Sequence, residues 1–161
     1  TIALVQGNAL GGGVGLAACC DIAIAEAGTQ FCLSEVKIGL VPSMIAPYVV
    51  AAMGERQARR YFLTAEKMDA DTAQRIGLVH EVAPKGGLDT AAEKIIAALG
   101  EGSPAAQARA KKLILEISKR KIDEALVDLT AERIAEARAS AEGKEGIAAF
   151  LGKTEPGWRK K

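Results

Sequence analysis

Residues 1 to 54 carry only Asp21, Glu26, Glu35 and Lys37 as charged side chains, although charged residues make up 25% of the 161-residue chain. A stretch so poor in charge is expected to bury most of its length, leaving the remainder of the chain amphipathic. Hydrophobic residues, at 49%, are enough for one packed domain with a helical appendage.

Within the charge-poor third, Ile2 to Val5 and Ile22 to Ala25 are short β-branched runs. Between them lie the Gly11-Gly12-Gly13 turn and the apolar Leu16 to Cys20. That order predicts strand, glycine turn, short buried helix and strand, a parallel ββα-like unit. Phe31 to Val36 reads as a further strand, and Gly39 to Pro42 as a turn into the apolar segment Ile45 to Met53. Glu55 to Thr64 has a helical pattern, Asp71 and Gln74 resemble a capping box for a helix that stops at Gly77, and Leu78 to Val82 reads as a strand.

From Leu88 onward helices dominate: Leu88 to Leu99, then Ser103-Pro104 as cap and first-turn proline of a helix to about Ser118. A third is marked by Ile122, Leu126, Leu129, Arg133 and Ile134 and extends towards Ala141; Gly143 and Gly146 then bracket a turn before Ile147 to Leu151.

A formal net charge of +1, with basic and acidic residues interspersed, offers no sustained positive face to nucleic acid or to an anionic membrane. Glycine or charge interrupts every apolar stretch before the ~20 residues that a membrane span requires, and no basic n-region precedes a cleavable segment. A cytoplasmic protein, or the mature form of an organelle protein, is expected. Cys19, Cys20 and Cys32 have neither disulfide nor metal-ligand spacing and read as small buried residues of a reducing compartment. The opening at Thr1, a strand without initiator methionine or polar lead-in, leads to the expectation that the numbering starts inside a longer polypeptide.

The triple glycine is the first feature with chemical content. Glycine lets a ligand oxygen approach the backbone, and a helix N-terminus aims unpaired N–H groups at it. The same turn would also serve close packing or phosphate binding, although no Walker lysine or Gly-x-Gly-x-x-Gly follows. Glu35 is the second: on a strand, Phe31, Leu33 and Glu35 share one face, and a carboxylate on an apolar face is stripped of water and suited to moving protons. Alternatively the strand ends at Ser34, and Glu35 turns to solvent or pairs with Lys37.

Val5-Gln6-Gly7-Asn8-Ala9-Leu10-Gly11-Gly12-Gly13-Val14-Gly15-Leu16, Cys20 to Ala25 and Phe31 to Pro42 together resemble the signature of the enoyl-CoA hydratase/isomerase (crotonase) family. Arg75 to Val82 and Glu145 to Leu151 are similar to its later landmarks, so the resemblance covers essentially the whole chain. It implies an α/β fold, a crotonase-like spiral of ββα units with a helical C-terminal region. Residues 1–87 would be the C-terminal portion of the spiral core and residues 88–161 a helical trimerisation region.

The resemblance further implies an acyl-CoA thioester partner whose carbonyl oxygen is held by two backbone N–H groups. Gly12 matches the donor of one; the other would come from a segment upstream of Thr1. Glu35 matches one of two acid/base glutamates, whereas the position of the second, three residues after Gly12, is Gly15. By the same resemblance Leu10, Gly11, Gly15 and Pro42 would line the substrate, and Phe150 and Lys153 would lie near the CoA adenine, with core packing for Phe150 and solvation for Lys153 as the alternative. Cys19 to Ala25, Cys32 to Val36 and Ala46 to Val50 are most similar to methylglutaconyl-CoA hydratase-type members.

No metal or redox cofactor is implied, coenzyme A being part of the substrate. A hydratase of 2-enoyl-CoA thioesters, branched or carboxylated, is the expected activity. A double-bond isomerase and a non-catalytic acyl-CoA-binding subunit are the alternatives. His80 is expected to be structural or superficial, and Asp21 to cap or pair near the end of the short helix. A homo-oligomer, trimer or dimer of trimers, is the expected assembly.

Overall fold

The computed structural model describes residues 1–159, which fall into two compact units, Thr1–Lys94 and a second that begins at Ile95. In the first unit, β1 (Ile2–Val5), β2 (Asn8–Leu10) and α1 (Gly12–Cys19) are followed by β3 (Ile22–Glu26) and β4 (Gln30–Cys32). β3 lies parallel to β1 with Ala3 opposite Ala23, while β4 lies parallel to β2 with Leu10 opposite Cys32. Two successive strand pairs thus stack in register, which is the repeat of a ββα spiral. Buried Thr29 ties the corners together by donating its hydroxyl to the Val5 carbonyl at 3.1 Å.

After β4 the chain makes a 3-10 turn, Glu35–Ile38, and continues as α2 (Ala46–Met53) and α3 (Glu55–Thr64). β5 (Met68–Asp69) pairs antiparallel with β4, α4 (Ala70–Arg75) follows, and β6 (Glu81–Ala83) adds parallel to β3. The core between these elements is built on Val14, Phe31, Leu33, Val49, Tyr61, Met68 and Leu78.

Several expectations are corrected. The strand expected over Phe31 to Val36 ends at Cys32, because its partner β2 ends at Leu10, where Gly11 turns the chain into α1. The cap of α4 is Asp69, whose carboxylate accepts from the Thr72 amide at 2.8 Å, two residues before the expected Asp71. Most of Leu78 to Val82 is not strand; β6 begins only at Glu81. His80 serves the backbone as expected: its Nδ1 accepts from the Ala23 amide at 3.0 Å, and its own amide donates to the Ala23 carbonyl at 2.8 Å. Cys32 is buried, Cys20 half-buried and Cys19 exposed. Nor is the charge-poor third buried throughout, since Leu40, Val41, Met44 and Tyr48 are all more than half exposed.

α5 (Leu88–Gly100) contains the division between the units. The second unit continues with α6 (Pro104–Ile117), α7 (Glu124–Ala139) and α8 (Ala141–Gly152), capped by Ser103, Asp123 and Ser140. Arg133 on α7 donates from Nε to Glu116 on α6 at 3.0 Å, and Glu142 on α8 accepts from the Ser103 hydroxyl and from the Ala105 amide at 3.0 Å. Gly143 and Gly146, expected in a turn, lie inside α8. A Cβ on Gly143 would stand 2.1 Å from the Ala137 carbonyl oxygen, so glycine there permits a close approach. Among the described residues no helix is long and apolar enough to cross a membrane.

Candidate functional site

The pairing of β2 with β4 decides which groups meet. Leu10 and Cys32 are register partners, and one residue beyond the pair the Gly11 amide donates to the Cys32 carbonyl at 2.8 Å. α1 therefore starts beside the end of β4, and the 3-10 turn that opens at Glu35 begins three residues later. Glu35 reaches Gly11 by this local route, in place of the strand face read from Phe31 and Leu33.

Gly11 caps α1 at φ 48° and ψ −114°, a conformation closed to side chains other than hydrogen. Its carbonyl accepts from the Val14 amide at 3.0 Å. Gly12 and Gly13 occupy the first turn, where amides have no partner within the helix, and among the described residues neither donates a hydrogen bond. Gly12 is exposed, and a Cβ built on it would meet nothing within 4 Å. Neither backbone conformation nor packing requires glycine there; an open amide at a helix N-terminus is what a carbonyl oxygen gathering negative charge could use.

Glu35 is half-buried, and its Oε1 lies 3.2 Å from the point that a Cβ on Gly11 would occupy. Its Oε2 is buried without a hydrogen-bond partner. Buried carboxylate oxygens are usually satisfied, so this one marks a place for a proton or a donor that the described chain does not itself provide. Lys37, the alternative partner raised by sequence, makes no ion pair with Glu35 among the described residues.

Gly15 is buried under Ile45: a Cβ on it would fall 2.1 Å from Ile45 Cγ2 and 2.5 Å from Ile45 Cβ. No acidic side chain fits at this position while Ile45 keeps its place. Pro42 is buried, and its carbonyl accepts from the Ala46 amide at 2.9 Å, so it shapes the entry to α2. Leu10 is 51% exposed at the end of β2. Leu10, Gly11, Gly12, Gly15, Glu35 and Pro42 thus all belong to the first unit, around α1 and the loop into α2.

Phe150 and Lys153 belong to the second unit. Phe150 is 82% exposed on α8, and Lys153 caps that helix in the left-handed conformation at φ 51°. Both line a cavity of 460 Å³ together with Trp158 and Arg159. The exposure of Phe150 is not that of a core residue. Ile45 is the site residue that sequence reasoning missed, and the charge-free run from Ile38 to Gly54 is the signal that could have drawn attention to it.

The whole chain, residues 1–161, matches the family model described as enoyl-CoA hydratase/isomerase. It is 36% identical over 153 residues to enoyl-CoA hydratase AKT6-1 of Alternaria alternata, an alignment covering 93% of this chain and 50% of that protein. A crystal structure of an enoyl-CoA hydratase from Shewanella pealeana superposes with a TM-score of 0.94 at 49% identity, covering 98% of this chain and 59% of the other. Pseudomonas aeruginosa AtuE gives a TM-score of 0.92 at 43% identity, covering 99% and 62% respectively. The chain therefore spans about half to three-fifths of the length of these relatives.

Proposed function

This chain belongs to the enoyl-CoA hydratase/isomerase family, and from that premise we propose that the protein is a hydratase-type lyase adding water across the double bond of a 2-enoyl-CoA thioester. The observation that carries the reading is the Glu35 carboxylate, one oxygen buried and unpartnered, set against the N-terminus of a helix whose Gly12 amide is open. The thioester oxygen would lie at that amide, with a second donor upstream of Thr1 as the resemblance implies. Glu35 takes a proton from water as the water oxygen bonds to the β-carbon. The electron pair of the double bond moves through the α-carbon to the thioester oxygen, giving an enolate that the Gly12 amide stabilises. Glu35 then returns the proton to the α-carbon. The proton taken equals the proton delivered, so one carboxylate closes the cycle without a partner at position 15.

Double-bond isomerisation is the second reading. It is favoured specifically by Ile45 covering Gly15, which removes a second acid that could hold the water. The likeness to methylglutaconyl-CoA hydratase-type members brings in a branched or carboxylated acyl group as the finer reading of the substrate. Mixing the complete protein with a 2-enoyl-CoA thioester and following the loss of the conjugated double bond tests the reading. Steady loss of conjugation with formation of a 3-hydroxyacyl thioester is expected, and a thioester recovered unchanged would reject it.

A further inference from the structure

Cys32 closes β4, and a different neighbour holds each side of it. Toward β2 its carbonyl accepts from the Gly11 amide at 2.8 Å, the bond that fixes the start of α1. Toward β5 the backbone pairing stops one residue earlier, at Phe31 opposite Met68. There the Cys32 thiol takes over and donates to the Ala65 carbonyl at 3.3 Å. Both residues are buried, and among the described residues nothing else donates to that carbonyl. Ala65 caps α3 in the left-handed conformation at φ 48°, which alanine seldom adopts. A strained residue with a buried carbonyl keeps its place only while its surroundings satisfy it, and the thiol is the group that does so.

We propose that Cys32 is a positioning residue of the candidate site: its thiol, by anchoring the end of β4 on the Ala65 carbonyl, sets the spacing between the Gly12 amide and the Glu35 carboxylate. The inference rests on the reading of those two groups as oxyanion donor and proton carrier. Both are tied to Cys32 at short range. Gly12 follows the amide that the Cys32 carbonyl holds, and Glu35 opens the 3-10 turn three residues on. Without the thiol the Ala65 carbonyl is buried and unpaired, so the end of β4 or the cap of α3 must shift to find a donor. A shift at Cys32 reaches Gly11 through a hydrogen bond and Glu35 through Leu33 and Ser34, two unlike routes, so the spacing changes. Catalysis is steep in such distances, about 1 Å costing about 10²-fold in rate. Because Cys32 acts only through these two groups, the loss should fall on turnover more than on thioester binding.

Cys32→Ser and Cys32→Ala leave side chains of similar size, of which only serine can donate, so the pair separates the hydrogen bond from the loss of volume. In the complete protein Cys32→Ala is expected to lower kcat for a 2-enoyl-CoA thioester about tenfold or more, with Kd for saturated butyryl-CoA within about threefold of wild type. Cys32→Ser should recover most of the rate. Hydrogen exchange on protein labelled at glycine gives a readout free of turnover: the Gly11 amide should exchange about tenfold faster or more in Cys32→Ala, and near the wild-type rate in Cys32→Ser. Cys32→Val, which fills the space without donating, takes the place of Cys32→Ala if that variant does not fold. A merely structural cysteine would lower the unfolding temperature of both variants and leave kcat per folded molecule unchanged. The inference is overturned by wild-type kcat in the folded variant that lacks a donor, by serine faring no better than alanine, or by an unchanged Gly11 exchange rate. Wild type that binds butyryl-CoA but hydrates no 2-enoyl thioester sinks the hydratase reading, and Gly11 exchange then decides alone whether the thiol holds the start of α1.

Discussion

The Glu35 carboxylate rests against Gly11, its Oε1 only 3.2 Å from where a Cβ on that glycine would be. Gly11→Ala therefore meets two penalties, the left-handed φ of 48° and a collision with the acid. A stability loss of about 1 to 3 kcal/mol is expected from the backbone alone. Turnover per folded molecule should fall as well, because Glu35 must move, and thermal unfolding alongside steady-state kinetics separates the two effects.

Gly12 presents the opposite case. A side chain there enters open space without backbone strain, so Gly12→Val should fold with near wild-type stability. If the amide holds the thioester oxygen, crowding it should lower kcat by about 10²- to 10³-fold, the cost of one lost oxyanion donor. Unchanged turnover in the folded variant would remove the assignment.

Glu35→Gln should keep CoA-thioester binding near wild type and lose about 10²- to 10⁴-fold in kcat, since glutamine preserves shape but cannot relay a proton. Calorimetric titration with a saturated thioester and a rate assay on the same preparation decide it. Equal turnover in variant and wild type would dismiss Glu35 as the acid, and no turnover in either would favour the binding-subunit reading.

The order of β1, α1 and β3 was legible from residues alone, because glycines separate β-branched runs from a short apolar helix. The setting of Glu35 was not: Phe31-Cys32-Leu33 favours a strand, yet pairing stops where Leu10 gives way to Gly11, a limit set by the neighbouring strand. Gly15 was legible as a departure from the family pattern but not as the floor under Ile45, which depends on how α2 packs on α1. Gly143 misled in a similar way, since a glycine that permits close approach to Ala137 looks like one that breaks a helix.

The Gly15–Ile45 contact predicts a coupled pair. Gly15→Ala overpacks the junction of α1 and α2 and should cost about 1 to 3 kcal/mol. Adding Ile45→Ala should return part of that loss, so that denaturant midpoints of the double variant are better than the sum of the singles. Strict additivity would show that the two side chains do not compete for space.

In the helical unit, the Ser103 hydroxyl and then the Ala105 amide hold the Glu142 carboxyl below its ordinary value of 4.5. A carboxyl whose folded value is depressed stabilises the fold above its ordinary value, and that stability is lost as pH falls through the folded value. Thermal unfolding followed downward from pH 4.5 should therefore lose stability faster in wild type than in Glu142→Gln, which cannot ionise. Identical acid profiles would show that the contact with Ser103 carries no linkage.

Ile114, Leu115, Ile122 and Ile134 are all more than half exposed on the helical unit, Ile122 at 83%. Covering them is the role expected of neighbouring copies, and a trimer or dimer of trimers is predicted for the complete protein. Sedimentation at micromolar concentration checks this, and a stable monomer would contradict it.

Glu35 and the Gly12 amide are proposed to add water to a 2-enoyl-CoA thioester. The most direct test is incubation of the complete assembly with 2-enoyl- and 3-enoyl-CoA thioesters in heavy-oxygen water, followed by mass analysis of the acyl group. Hydration predicts the label in a 3-hydroxyacyl product formed from the 2-enoyl substrate. Efficient movement of the double bond in the 3-enoyl substrate, with no labelled hydroxyacyl product from any 2-enoyl thioester, would contradict the account.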